Sequence, residues 1–269
     1  MCVKFTIAIC THNGRDRIAR PIAALAEQSL PPAGNWNALV IDNSSTDDTS
    51  QVARETAEHF GLPLRVVPEP RLGLIYARRR AAREAMGAWL AFWDDDNVPA
   101  HDWLERASEF VDQRHPRMGI FGGRVVPALE RPDLRPGNFT DEHFGVLGCR
   151  DRGPGSFLLD RGFPVGAGMV IRRDLLRTIC DEIGVYSVGR QGAALTGGEA
   201  AEIACIARKL GWLLWHCASL WLEHLMPPHR VQHDYRDRLT VAAIKSGAWL
   251  QLLQQSGEVR TRLDALRNA

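Results

Sequence analysis

Over the first hundred residues, short blocks that are almost wholly apolar or β-branched alternate with longer stretches whose apolar positions recur every three or four residues. The first pattern predicts strands covered on both faces, and the second predicts amphipathic helices. Strands are expected over residues 4–10 (KFTIAIC), 36–42 (WNALVID), 64–68 (LRVVP) and 88–93 (AWLAFW). Helices are expected over 16–30, with Pro21 delaying or kinking the start, and over 49–61, with Gly61 as C-cap. A third is expected over 73–87, where Leu74, Ala77, Ala81 and Ala85 share a face and Gly87 closes it. The order βαβαβαβ predicts an α/β fold with a Rossmann-like, mainly parallel central sheet flanked by helices. From about residue 117 the pattern loosens. Residues 131–157 read as long Gly- and Pro-rich loops, and 166–176 as a turn, a short strand and a helix start. Residues 197–212 form a helical pattern with Ile203, Ile206 and Leu210 on one face, 213–225 return to strand character, and 231–269 make a mostly helical tail. The chain thus divides at 1–116, 117–229 and 230–269.

Ligands of such sheets bind beyond the carboxyl ends of the strands. Thr11, His12, Asn13 and Arg15 follow the first expected strand, Asp42 and Asn43 end the second, Glu69 and Arg71 follow the third, and Asp94, Asp95 and Asp96 follow the fourth. Three adjacent carboxylates after a buried run repel one another, and removing them from water is unfavourable unless something pairs them. A divalent cation carrying a polyanionic ligand meets that need, and Mg²⁺ and Mn²⁺ take carboxylates together with substrate phosphates. In an extended segment Asp94 and Asp96 would share a face and Asp95 would point elsewhere. A solvated turn at a helix start is the plainer reading of the triplet. It is also the preferred one for Asp47 and Asp48, as a solvated face is for Arg79, Arg80 and Arg83.

Composition narrows the field. The 269 residues carry a formal net charge of +1, so no global field argues for nucleic acid. Six cysteines lack CxxC spacing, which suggests reduced thiols rather than disulfides or a zinc site. The N-terminus turns polar too early for a signal peptide, and no apolar run approaches the roughly 20 residues that span a bilayer. A cytoplasmic protein is expected, with the inner face of the membrane, peripheral membrane contact and a homodimer left open.

The stretches IAICTHNGRDRI, ALVIDNSSTDDT, RLGLIYARRRAAREAMGAWLAFWDDDNVPAHDWL, GAGMVIRRDLL and GGEAAEIACIARKLGW stand in the order found in family 2 glycosyltransferases, and the resemblance covers roughly residues 4–225. It implies a GT-A fold, a nucleotide-sugar donor (UDP-sugar by default), Mn²⁺ or Mg²⁺, and inversion at the anomeric carbon. It makes 1–116 the donor half, 117–229 the acceptor half of the same domain, and 230–269 a C-terminal helical extension. Carried over by position, Asp94-x-Asp96 resembles the DXD motif, with Asp94 at the ribose or nucleotide and Asp96 on the metal. Thr11, Asn13, Arg15, Asp42, Arg78 and Asp95 fall among the donor-binding positions, Asp42 reading the base. His224 fits the family's late metal-ligating histidine, and His216 reads as core. Gly166, Ala167 and Gly168 resemble the acceptor-side loop, with a plain turn equally open.

One position departs from the pattern. The family presents its catalytic carboxylate as Glu-Asp at the start of the helix written here GGEAAEIACIA, and this chain has Glu199 followed by Ala200. A methyl group takes no proton, and loss of a general base lowers rate by about 10²–10⁴. A base-deleted variant, a weakened natural relative, and Glu199 (less readily Glu202) serving as base all remain open. The expected function is metal-dependent transfer of a sugar to a saccharide or lipid-linked acceptor. The alternatives are a catalytically inactive nucleotide-sugar binding protein and, less favoured, a sugar nucleotidyltransferase, for which CTHNGRDR lacks the Gly-rich phosphate loop.

Overall fold

The computed structural model describes residues 3–30, 35–113, 115–136, 138–191 and 195–255. Strands β1 (Phe5–Thr11), β2 (Trp36–Asp42), β3 (Leu64–Pro68) and β4 (Trp89–Asp94) lie parallel in the order β3-β2-β1-β4. They are linked by α1 (Ala19–Ala26), α2 (Thr49–His59) and α3 (Leu74–Glu84). Alternate residues feed opposite cores, as the two-residue repeat of a strand requires. Phe5, Ile7, Ile9, Trp89, Ala91 and Trp93 pack with α1 and α2, whereas Ala8, Cys10, Leu39, Ile41, Leu90 and Phe92 pack with α3. Pro21 falls in the first turn of α1, where an amide proton has no intrahelical partner, so it produces no break.

The second half extends the same sheet. Its elements are β5 (Asn97–Pro99), α4 (Trp103–Asp112), β6 (Met118–Leu129), α5 (Asp141–Val146), β7 (Ser156–Leu158), β8 (Val170–Arg172), α6 (Arg173–Arg177), α7 (Glu199–Lys209), β9 (Leu213–Met226) and α8 (His233–Gln255). The full order is β3-β2-β1-β4-β8-β6-β9-β5, with β7 beside β9. β8 is antiparallel to β4 and β6, β9 is parallel to β6, and β5 and β7 run antiparallel to β9. Only Asp95 and Asp96 separate β4 from β5, yet β5 pairs with the late part of β9. The sheet therefore bends back so that Leu222–His224 return to the end of β4.

β6 has no counterpart in the sequence reading. Its apolar run is broken by Gly122 and Gly123, and the second glycine is required by a close approach: a Cβ there would lie 1.7 Å from the Leu220 carbonyl oxygen of β9. The region read as loops also contains α5, held by a third core in which Phe139, Phe144 and Leu147 pack with Val125 and Leu222, and β7, which pairs with β9. Residues 256–269 of the expected helical tail lie outside the described residues. Among the described residues no helix is long and apolar enough to cross a membrane. Cys10, Cys149, Cys180 and Cys217 are buried free thiols.

Candidate active site

The aspartates do not continue β4 as an extended segment. Asp95 and Asp96 form the turn into β5, and the turn sends the three carboxylates into different company within one cleft of about 260 Å³. Asn97 closes the turn, its Oδ1 accepting the Asp94 amide at 2.8 Å and its Nδ2 donating to Asp96 at 3.1 Å. Asp95 accepts the Thr11 hydroxyl at 2.6 Å and a two-pronged contact from Arg17 at 3.1 and 3.0 Å. Asp96 meets Arg230 at 2.6 Å and His224 at 3.2 Å. Burial pushes the Asp96 carboxyl up, but His224 and Arg230 outweigh it and hold the group well below the usual carboxylate range. The reciprocal effect lifts His224 to about 10 against the burial of its ring. Asp94 has no cation in contact among the described residues, and burial, then the charge of Asp96, raises it to about 6. The cleft is also lined by His12, Asn43, Arg190 and Tyr235.

The other expected donor positions surround the cleft or lie beneath it. Asp42 is buried, and its carboxylate caps the following loop by accepting the Ser45 amide at 3.1 Å and the Ser50 hydroxyl. Asn43, not Asp42, lines the cleft; its side chain spans to the Arg71 carbonyl at 2.6 Å and accepts the Gly73 amide at 2.8 Å. Asn13 adopts a left-handed backbone (φ 49°) and accepts the Thr46 amide at 2.8 Å, so it shapes the loop. Arg15 is exposed and pairs with Asp48 at 3.1 Å. Arg78 is 1% exposed, stacks over Phe92 at 5.1 Å and lies 3.6 Å from Glu199. Its Nε and Nη1 have no hydrogen-bond partner among the described residues.

Glu199 and Ala200 open α7, both buried. A Cβ on Gly166 would meet Arg78 Nη2 at 2.6 Å and the Ala200 methyl at 3.5 Å, so this glycine makes room for both. Glu202 is fully engaged elsewhere: it accepts the Tyr186 amide at 2.8 Å, the Ser187 amide at 2.9 Å and the Trp249 indole at 3.2 Å. A carboxylate so committed anchors the segment before α7, and Glu199 is the carboxylate directly beside position 200.

The family model described as Glycosyl transferase family 2 matches residues 6–180. The chain belongs to glycosyl transferase family 2. The glucosyl-dolichyl phosphate glucuronosyltransferase of Haloferax volcanii is 22% identical over 87% of this transferase and 72% of its own length. Glycosyltransferase AglE of the same organism is 30% identical over 45% of this chain, but that match spans only 38% of AglE. Among solved structures, the Pyrobaculum calidifontis mannosyltransferase PcManGT, in complex with GDP-Man and Mn²⁺, superposes with a TM-score of 0.60 at 20% identity, over 99% of this chain and 75% of that one. Staphylococcus aureus TarS 1–349 with UDP-GlcNAc gives 0.59 at 17% identity, over 90% and 66%. The fold is GT-A, and the protein is a glycosyltransferase.

The transferase cleft suits a divalent ion in its donor chemistry, offering carboxylate oxygens of Asp94 and Asp96 and an imidazole nitrogen of His224. As the side chains stand, no three His, Cys, Asp or Glu among the described residues gather closely enough to hold an ion, and Arg230 pairs with Asp96. Sequence reasoning missed Arg17, Arg190 and Arg230. Each sits in a polar turn or connecting segment where an arginine reads as solvated, and only the fold brings them to one cleft.

Proposed function

We propose that this transferase is an inverting, metal-assisted enzyme that moves a sugar from a nucleotide diphosphate donor, a UDP-sugar by default, to a saccharide or lipid-linked acceptor. The observation that carries this reading is the cleft itself, in which three aspartates, His224 and three arginines face one another at the carboxyl ends of β1 and β4. Such a mixed set suits a ligand that arrives as a diphosphate with a cation. Asp94, Asp96 and His224 would hold Mn²⁺ or Mg²⁺, which neutralises the diphosphate and makes it a better leaving group.

The protein's own groups supply the rest. Arg190 and Arg230 place positive charge where the diphosphate departs, and Arg17 keeps Asp95 turned against Thr11. Asp42, Asn13 and Arg15 set the loop that meets the nucleotide, with Asn43 at the cleft surface. Arg78 fixes Glu199 next to the acceptor face. Resemblance between the GDP-Man and UDP-GlcNAc complexes and this fold supports the donor class, as does the glycosyltransferase naming of the relatives. A second reading, donor binding without transfer, is favoured by the methyl group of Ala200 alone.

The test is calorimetry of the purified chain against UDP-, GDP- and dTDP-sugars with and without Mn²⁺, followed by transfer assays. The expected result is saturable binding of one donor that weakens at least tenfold on metal removal. A cleft that binds none of them defeats the proposal. Binding without turnover on any acceptor favours the second reading.

A further inference from the structure

Asp96 and His224 stand as a pair that one ion can take. Asp96 Oδ2 and His224 Nε2 lie 3.2 Å apart, and two ligands at right angles on an ion with bonds of about 2.1 Å are about 3 Å apart. Both side chains are held from outside the cleft. Asn97 donates to Asp96 at 3.1 Å, and its register with His224 joins β5 to β9. On the far side of the ring, His224 Nδ1 meets the Cys149 thiol at 3.9 Å, so Nε2 is the nitrogen turned to Asp96.

A third atom completes a triangle with these two. Arg230 Nη1 lies 2.6 Å from Asp96 Oδ2 and 3.3 Å from His224 Nε2. An imidazole nitrogen offers one in-plane position, and the contacts with Asp96 and Arg230 occupy it. A guanidinium keeps its charge at any working pH. A divalent ion drawing on the same oxygen and the same nitrogen therefore meets a cation at contact range, and the two compete for one place.

Arg230 is incompletely satisfied where it stands. Its Nε is buried and has no hydrogen-bond partner among the described residues, an unfavourable condition for a donor removed from water. Arg17 and Arg190 line the same cleft, so like charges surround it. Its backbone, in contrast, is fixed. Arg230 lies in the single 3₁₀ turn Pro228–Val231 between β9 and α8, and Val231 is buried in the third core. A change of partner is thus a swing of the side chain about an anchored turn. We propose that Arg230 is a place-holder for the divalent ion: paired with Asp96 it keeps the ion weakly bound, and when ion and donor arrive together the guanidinium turns from Asp96 to the diphosphate. This rests on the donor and metal reading above. Arg230 then opposes the ion alone and favours the ion with its donor, so each of these two ligands strengthens binding of the other.

The test titrates Mn²⁺ alone into the full chain and follows the free ion by electron paramagnetic resonance, with no nucleotide present. Arg230→Met, which keeps the length of the side chain and removes its charge, should bind Mn²⁺ about fivefold tighter or more than wild type. Arg230→Lys, which keeps the charge, should fall between them. Arg17→Met removes an equal charge that is paired with Asp95 instead of Asp96, and should change Mn²⁺ affinity less than about twofold. Calorimetry with UDP and GDP at saturating Mn²⁺ should then show Arg230→Met binding the nucleotide about fivefold more weakly or worse. One substitution that moves two affinities in opposite directions is a signature that a merely structural ion pair does not give. Circular dichroism checks that each variant folds, and the Lys variant carries the comparison if the Met variant does not. Mn²⁺ binding by the Arg230 variants equal to or weaker than wild type overturns the proposal, as does equal tightening by Arg17→Met, which would mean a general field effect. Either result leaves the donor reading intact. Wild-type protein that binds the nucleotide equally well with and without Mn²⁺ defeats the metal reading and this proposal with it.

Discussion

Replacing Glu202 separates an anchoring carboxylate from a catalytic one. Glu202 is 1% exposed and accepts three hydrogen bonds, two from backbone amides and one from an indole. A hydrogen bond lost from a partly buried donor is worth about 1 kcal/mol, and more where the acceptor is charged. Glu202→Ala removes all three, so a loss of about 3 kcal/mol is expected. In a chain of this size 1 kcal/mol moves Tm by about 2–4 °C, which gives a drop of about 6–12 °C. Glu202→Gln retains the shape and can keep the two bonds made by Oε2, so its loss should be about 1 kcal/mol, or about 2–4 °C. Thermal unfolding followed by circular dichroism measures both, and calorimetry of donor binding should show the affinity unchanged in the Gln variant. Unfolding temperatures equal to wild type, accompanied by collapse of turnover in Glu202→Gln, would refute the reasoning and identify Glu202 as the base.

Other expectations follow from the same geometry. Asp96→Asn should abolish the metal dependence of donor binding in calorimetry, because it removes the charge that Arg230 and His224 now share. Arg17→Ala should weaken the donor severalfold by releasing Asp95, yet change Tm by no more than about 2–4 °C, since a half-exposed ion pair contributes about 1 kcal/mol or less. Burial pushes the Cys10 and Cys180 thiols up to about 12, so both are neutral at pH 8 and should resist iodoacetamide in the folded protein, as peptide mass mapping would record. Gly123→Ala drives a methyl group into the Leu220 carbonyl and should destabilise by at least about 3 kcal/mol, read as loss of soluble protein or a Tm lower by about 6 °C or more.

The parallel half of the sheet was legible because its strands are buried on both faces. Trp36–Asp42 and Leu64–Pro68 coincide with the expected strands residue for residue, and the other two are displaced by one. The second half was less legible where packing overrides local pattern. β6 contains a glycine, Gly123, that serves a neighbour 97 residues away in sequence, so no window along the chain reveals it as part of a strand. The candidate site divides in the same way. Asp94, Asp95, Asp96 and Thr11 follow from their places at strand ends and His224 from the family resemblance, and the cleft contains all five. The bend at Asp95 was hidden because the expected extended geometry ignored Asn97, whose side chain ties the turn. Arg17 and Arg230 carry no periodicity at all. Their roles appear only once the β1–α1 turn and the segment after β9 meet at the aspartates.

The two-residue hinge between β4 and β5 has a consequence for how this enzyme can be divided. Asn97 is in register with His224, and the Leu225 amide donates to the Asp96 carbonyl at 2.8 Å, so the aspartate corner is stitched directly to the last strand. Cutting the gene near residue 116 would leave the negative corner on one fragment and its imidazole and guanidinium on the other. Neither fragment would inherit a working half of the catalyst. Complementation by mixing the two would have to rebuild β9 against both β6 and β5 before any charge was matched.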